Sequence, residues 1–280
     1  MARKRKQKKS RSFSATAPAP IVNIAEKRSK RMALQPDRKP TVFIACPSTD
    51  GRNHYSIGMA FGRAMASSMI AECPFRFSIH SEPGKRPIDH ARNSIVKTFI
   101  EDTDADWLMM IDDDQTVPEN FWQLCAVMDA DVVSGLTFVW VGNGAPEAML
   151  RVNNYGLDKD HQCYNLPIPD KSAQQPYKVP IVGTGCIAIR RRVFAPPPHG
   201  LGTSPFFFTY AEDRKVKAGE DINFSVAANQ KGFTLAVHPG VFFDHTKAIP
   251  MSQIAAWYDA RHAMEVEGRQ TTDEQRISIG

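Results

Sequence analysis

Long apolar runs are missing from this chain. In 280 residues no stretch approaches the ~18 consecutive apolar side chains of a membrane-spanning helix, and no apolar segment follows the basic N-terminus as a secretory signal requires. Neither a membrane span nor secretion is expected, and the chain reads as cytoplasmic. Paired cysteines are missing too. Cys46, Cys73, Cys125, Cys163 and Cys186 stand singly, with no Cys-x-x-Cys, which argues against a zinc site. Cys46, Cys125 and Cys186 lie in apolar segments and read as small buried hydrophobes in a reducing compartment. No internal repeat is visible, which argues against a repeat architecture.

Acidic residues are scarce at one end. Residues 1 to 40 hold 13 Lys or Arg against 2 Asp or Glu, a net of +11 in a chain that totals +5, which leaves −6 for the other 240 residues. The basic character therefore belongs to an arm, whereas a broad nucleic-acid-binding face would carry positive charge on the folded body. The arm has no core-forming run before Ile21 and is expected to be disordered. Its charge suits an anionic partner such as nucleic acid, a membrane surface or an acidic protein; it would equally serve as a solubilising tail.

After Pro40 the character changes. Residues 41 to 47 read as a strand that opens the folded domain, followed by a helix over 55 to 72, a strand over 75 to 80, a helix over 88 to 102 and a strand over 106 to 111. A helix over 119 to 128 and a strand over 130 to 141 complete an alternation that implies parallel pairing. Residues 142 to 179 are polar and aperiodic, and read as one long loop. A second block holds a strand at 186 to 189, a proline bend at 196 to 198, an aromatic patch at 206 to 210 and a helix at 220 to 231. Strands at 234 to 238 and 241 to 243 and a final helix over 250 to 267 follow.

The acids Asp112, Asp113 and Asp114 end the apolar run Trp107 to Ile111. Carboxylates crowded where a buried strand surfaces repel one another unless a counter-charge neutralises them, and a hard divalent cation does this well. Alternation along an extended chain would send Asp112 and Asp114 to one side and Asp113 to the other. The plainer reading is a solvated turn that caps the next helix. The position is also where open α/β sheets bind ligands.

Further motifs follow in order. Gly183-Thr184-Gly185 precedes the strand that ends in Arg190-Arg191, with glycines that permit close backbone approach to a ligand. Glu220-Asp221 opens a helix after Gly219, and His245 closes the last strand. Taken together, residues 41 to 247 resemble the GT-A fold glycosyltransferases of the family 2-like group. Asp112-Asp113-Asp114 matches that family's Asp-x-Asp motif, Gly183-Thr184-Gly185 its glycine strand, Glu220-Asp221 its x-Glu-Asp motif and His245 its carboxy-terminal metal histidine.

The resemblance implies an α/β, Rossmann-like mixed sheet, mostly parallel and flanked by helices, as one catalytic domain. Its boundaries would be a basic arm over 1 to 40, a catalytic domain over 41 to 250 and a C-terminal helix and tail over 251 to 280. Within the domain, 41 to 141 would bind nucleotide, 142 to 180 would form a loop region and 181 to 250 would supply acceptor and metal contacts. It implies transfer of a sugar from a nucleotide-sugar donor, UDP-sugar favoured over GDP-sugar, with Mn²⁺ or Mg²⁺. Asp114 and His245 would ligate the metal, with Asp112 on a metal-bound water or the ribose and Asp113 beside the donor. Asp221 would be the base and Glu220 would orient acceptor or metal, although a carboxylate at a helix start has a low pKa and is a modest base. Thr49, Asp50, Asp89, Arg92, Asn93, Gly183, Thr184 and Gly185 would contact the nucleotide. Asp89, Arg92 and Asn93 also share a helix face and could simply lace it with ion pairs.

The aromatic patch would suit an acceptor subsite or a buried strand. The acceptor itself, whether a protein, glycan, lipid head group or modified nucleic acid, stays open. Two other classes compete: a metal-dependent nuclease or phosphoesterase, and a non-catalytic nucleic-acid-binding protein acting through the arm.

Overall fold

In the computed structural model the described residues are 38–48, 58–59, 62–63, 66, 73–82, 87–140, 150–158, 163–167, 174–245 and 258–259. The chain divides into two units, Met1–Arg38 and Lys39–Gly280. The basic arm, the C-terminal helix expected over 250 to 267 and most of the helix expected over 55 to 72 lie outside the described residues, as do Thr49 and Asp50.

Among the described residues a nine-stranded mixed sheet runs through the domain. Its strands are β1 (Thr41–Pro47), β2 (Arg76–Glu82), β3 (Trp107–Ile111), β4 (Gln115–Thr116), β5 (Val132–Trp140), β6 (Leu150–Val152), β9 (Tyr177–Lys178), β11 (Cys186–Arg190) and β14 (Leu235–His245). The order is β2-β1-β3-β11-β5-β14-β4, with β6 on β5 and β9 on β14. β2, β1 and β3 run parallel, β5 and β14 run parallel, and β11 lies antiparallel between β3 and β5. This is a GT-A-type, Rossmann-like α/β domain. The parallel alternation expected from the sequence holds for every core strand except β11, whose direction reversal brings its N-terminus, not its C-terminus, to the edge where β3 ends.

β3 shows why its sequence is unbroken in apolar character. Trp107, Met109 and Ile111 pack into one buried cluster while Leu108 and Met110 pack into the other, so both faces of the strand are covered. The helix α1 (Ile88–Asp102) lays Ile95, Val96 and Phe99 on the second cluster, and α2 (Glu220–Gln230) adds Phe224 and Ala228 there. On the opposite face, residues expected as an α-helix over 119 to 128 form a 3-10 helix, Phe121–Ala126, that buries Phe121, Leu124 and Cys125. No side-chain cap supports its start, and the short, strongly apolar segment is shaped by burial.

Two arginines of the motif after β11 hold the sheet's far end. Arg191 donates to the carbonyls of Phe99, Ile100 and Thr103, capping the C-terminus of α1, and to that of Ala105. Arg190 lies 4.4 Å over the Trp107 ring and donates to the carbonyls of Val127, Met128 and Ala130.

The long loop expected over 142 to 179 is corrected. It holds β6, β7 (Asn154–Leu157), β8 (Cys163–Asn165) and β9, and β10 (Ile181–Val182), β7 and β8 form a separate three-stranded sheet. Strands of two to four residues carry too little period to be read from sequence. The aromatic patch is divided: Phe206 is buried and stacked on Phe224 at 4.6 Å, whereas Phe207 and Tyr210 are exposed. Tyr210 belongs to a small hairpin of β12 (Thr209–Tyr210) and β13 (Val216–Ala218).

β5 and β14 meet without room to spare at Gly135, where an added Cβ would lie 2.8 Å from both the Phe243 ring and the Val241 carbonyl oxygen. We expect Gly135→Ala to lower unfolding free energy by about 1–3 kcal/mol, because backbone as well as ring must move. Urea denaturation measures this, and an unchanged midpoint would mean the strands separate freely.

Candidate functional site

The site forms at one edge of the sheet, where β1 and β3 end, β11 begins, β14 ends and α2 starts. The acidic turn leaves β3 with the Asp112 N–H donating to the Gly185 carbonyl at 2.8 Å, which ties it to the glycine segment before β11. Gly185 is shaped to this contact, since a Cβ there would meet Gln115 Nε2 at 3.3 Å and Asp112 Oδ2 at 3.5 Å. At Gly183 the close neighbour is Asn153, whose Nδ2 would stand 2.6 Å from an added Cβ. Both glycines thus make room for the protein's own polar side chains.

Arg92 joins the motifs. Its position in α1 falls on the buried stripe with Val96 and Phe99, and its side chain is 2% exposed. Nη2 donates to both Asp112 oxygens at 2.9 and 3.2 Å, Nε donates to Glu220 Oε1 at 3.3 Å, and Nη1 donates to the Thr184 carbonyl at 3.2 Å. The Thr184 hydroxyl donates to the same Glu220 oxygen at 3.2 Å. One guanidinium therefore holds the acidic turn, the glycine segment and the first residue of α2. Burial pulls its pKa down, but Asp112 and Glu220 together push it above the ordinary value, so it stays charged.

Asp112 is lifted to about 6, chiefly by burial, with Asp114 and Glu220 adding repulsion and Arg92 pulling the other way. We expect Arg92→Lys to cost about 2 kcal/mol of stability, because one ammonium cannot span three acceptors that a planar fork reaches. Thermal or urea unfolding checks it, and a neutral result would show that the network contributes little.

The other acids diverge, since the chain turns after Asp112 instead of staying extended. Asp113 accepts a 2.8 Å hydrogen bond from the Ser48 hydroxyl, linking the ends of β1 and β3. Burial first, then Asp113 and Asp112, push the nearby Cys46 thiol up to about 12, which leaves it unreactive. Asp114 Oδ2 stands 2.8 Å from His245 Nε2, while His245 Nδ1 stands 2.9 Å from the Phe138 carbonyl oxygen. A carbonyl only accepts, so Nδ1 carries a hydrogen. In the neutral ring Nε2 is then a lone pair facing a carboxylate, and the pair requires a proton or a cation between its members. β4 supports the arrangement by pairing Gln115 with His245.

Asp221 sits next to Glu220 with its Oδ1 accepting from the Ile222 N–H at 2.8 Å. Burial, then the charge of Glu220, raise its pKa above the usual carboxylate range. The expectation of a low pKa is corrected: removal from solvent outweighs the helix start. Tyr155 and Cys163, on β7 and β8, face the field of Asp221, and with burial it raises both their pKa values, Tyr155 to about 12.

Of the residues expected to contact nucleotide, Asn93 spends both ends of its amide on the Phe206 backbone, donating at 2.7 Å and accepting at 3.0 Å. Asp89 accepts from the His90 N–H in the first turn of α1. Residues missed from sequence are the polar supports. Gln115 is buried and accepts from the Thr137 hydroxyl, Asn153 accepts from the Thr137 N–H, and the Ser134 hydroxyl lies within hydrogen-bonding distance of the Gly183 carbonyl. Gln115, directly after the acids, carried the only sequence signal. Among the described residues no group of three His, Cys, Asp or Glu side chains is placed to hold a metal ion.

No protein-family model matches the chain, and no curated protein matches it. The fold is similar to three solved structures. A197 from STIV shares 16% identity over 75% of this chain and 86% of that one, with a TM-score of 0.47. GalNAc-T7 with UDP, GalNAc and Mn2+ shares 13% over 76% of this chain and 45% of its own, with a TM-score of 0.43. The inositol-1-phosphate CTP transferase from T. maritima shares 10% over 75% and 91%, with a TM-score of 0.35. No helix among the described residues is long and apolar enough to cross a membrane.

Proposed function

We propose that this chain is a metal-dependent glycosyltransferase that moves a sugar from a nucleotide-sugar to a hydroxyl acceptor. The observation that carries the reading is the convergence on Arg92, where three motifs distant in sequence meet in one buried hydrogen-bonded network. Asp114 and His245 fit a divalent cation: an anchored imidazole nitrogen and a carboxylate oxygen, with further positions left for diphosphate oxygens and water. When bound, Mn²⁺ or Mg²⁺ would neutralise charge growing on the departing nucleoside diphosphate.

The chain's own residues do the rest. Arg92 holds Asp112 and Glu220 in register against their mutual repulsion. Asp221, kept partly from solvent and oriented by the Ile222 N–H, takes the acceptor proton, and its raised pKa makes it a stronger base than an exposed carboxylate. Activity depending on this base falls as pH drops through that raised value. UDP is the favoured nucleotide, with GDP second.

The test is direct. Protein incubated with UDP- and GDP-sugars and Mn²⁺ should release nucleoside diphosphate, and EDTA should stop it. Absence of release from every donor, together with tight binding of nucleic acid through residues 1 to 40, would replace the enzyme reading with a binding protein.

A further inference from the structure

A second cavity lies on the face of the sheet that carries the 3-10 helix. It has a volume of about 700 Å³, within the range of small-molecule sites, and is bounded by Trp122 and Gln123 of that helix, Gln174 and Tyr177 near the sheet edge, and Ala236 and His238 of β14. His238 stands seven residues before His245 on the same strand, about 20 Å away by strand rise, so the cavity is separate from the acidic site. His238 is 8% exposed, and its Nδ1 is buried with no hydrogen-bond partner among the described residues. An unsatisfied buried nitrogen costs about 1–3 kcal/mol, and a polar ligand seated against it would recover that.

We propose that this cavity binds a neutral saccharide. Burial pushes the His238 pKa down, so the floor is an uncharged imidazole. The two charged lining residues, Asp129 and Lys178, cancel, and one lysine is a poor match for a phosphate or nucleotide. Three glutamines, Gln123, Gln174 and Gln175, line the cavity; each amide pairs a donor with an acceptor, as vicinal hydroxyls do. Trp122 and Tyr177 offer aromatic surface for the C–H face of a sugar ring.

Parts of this arrangement are fixed beforehand. Trp122 packs on Phe75 at 6.5 Å, and Asn120 Nδ2 bonds both Gln123 Oε1 and the Gly240 carbonyl. Gly240 lets the Gln174 amide lie against the backbone beside His238, since a Cβ there would strike Gln174 Oε1 and come within 3.2 Å of the imidazole.

The site is independent of the proposed transferase reaction, so it is tested without nucleotide or metal. The full chain is titrated by calorimetry and ligand-observed NMR with maltose, cellobiose, lactose and N,N′-diacetylchitobiose. At least one should bind, and Gln174→Ala and His238→Phe should each weaken it by about tenfold or more, the equivalent of one hydrogen bond lost to a buried partner. Asp114→Asn should leave the affinity unchanged. Gln174 is exposed, so that variant keeps the test valid should His238→Phe fail to fold. No binding at millimolar sugar, full affinity in Gln174→Ala, or loss of binding in Asp114→Asn would each overturn the proposal.

Discussion

Asp114→Asn is expected to weaken Mn²⁺-dependent binding of UDP or a UDP-sugar by about 100-fold or more, while the protein stays folded. The carboxylate faces His245 Nε2 at 2.8 Å and is part-exposed, so its loss removes half of a cation site without opening a cavity in the core. An amide keeps the shape but not the charge, and its oxygen is a weaker ligand. The same site sets a pH dependence. With Asp112 held at about 6, the turn gains a proton as pH falls through that value and loses negative charge beside the cation. Proton and cation compete, so Mn²⁺ affinity should decline between pH 7 and pH 5 and be restored on return to neutral pH. Titration of Mn²⁺ with and without UDP measures both effects. Affinity unaltered in Asp114→Asn would remove this residue from the metal site.

Asp221→Asn should behave differently. Transfer should fall by about 10² to 10⁴, the range for loss of a general base, while donor affinity stays close to the unaltered protein's. The contrast arises from placement. Asp221 is joined to the network only through its neighbour Glu220 and the Ile222 N–H, whereas Glu220 is fastened to Arg92 and Thr184. A substitution at Asp221 therefore leaves the Arg92 contacts in place. Single-turnover transfer with donor affinity measured in parallel separates the two quantities. Retained transfer would mean another group accepts the acceptor's proton.

Much of this framework was legible in the residues. The unbroken apolar run of β3 required two covered faces, and the apolar spacing over Ile88–Asp102 marked α1 to its ends. Other features depended on distant contacts. The antiparallel course of β11 follows from what its neighbours pair with, since strand direction leaves no mark on a strand's own composition. Arg92 was visible as a charge, but its role was not. Its place on the stripe with Val96 and Phe99 was the available signal, because a buried arginine needs acceptors around it. Asp112 and Asp114 were expected to share one site from strand alternation, yet the turn after β3 sends Asp112 to Arg92 and Asp114 to His245. The short strands between 150 and 178 carried no readable period, so neither the small sheet beside Asp221 nor the cavity at His238 could be foreseen.

The central claim is that Asp114 and His245 form a cation site for a nucleotide diphosphate. Crystals grown with Mn²⁺ and UDP, measured at the manganese absorption edge, test it most directly. The account predicts an anomalous peak about 2.2 Å from both Asp114 Oδ2 and His245 Nε2, with the remaining ligands from diphosphate and water. A peak elsewhere, or nucleotide bound with His245 still in direct contact with Asp114, would contradict it.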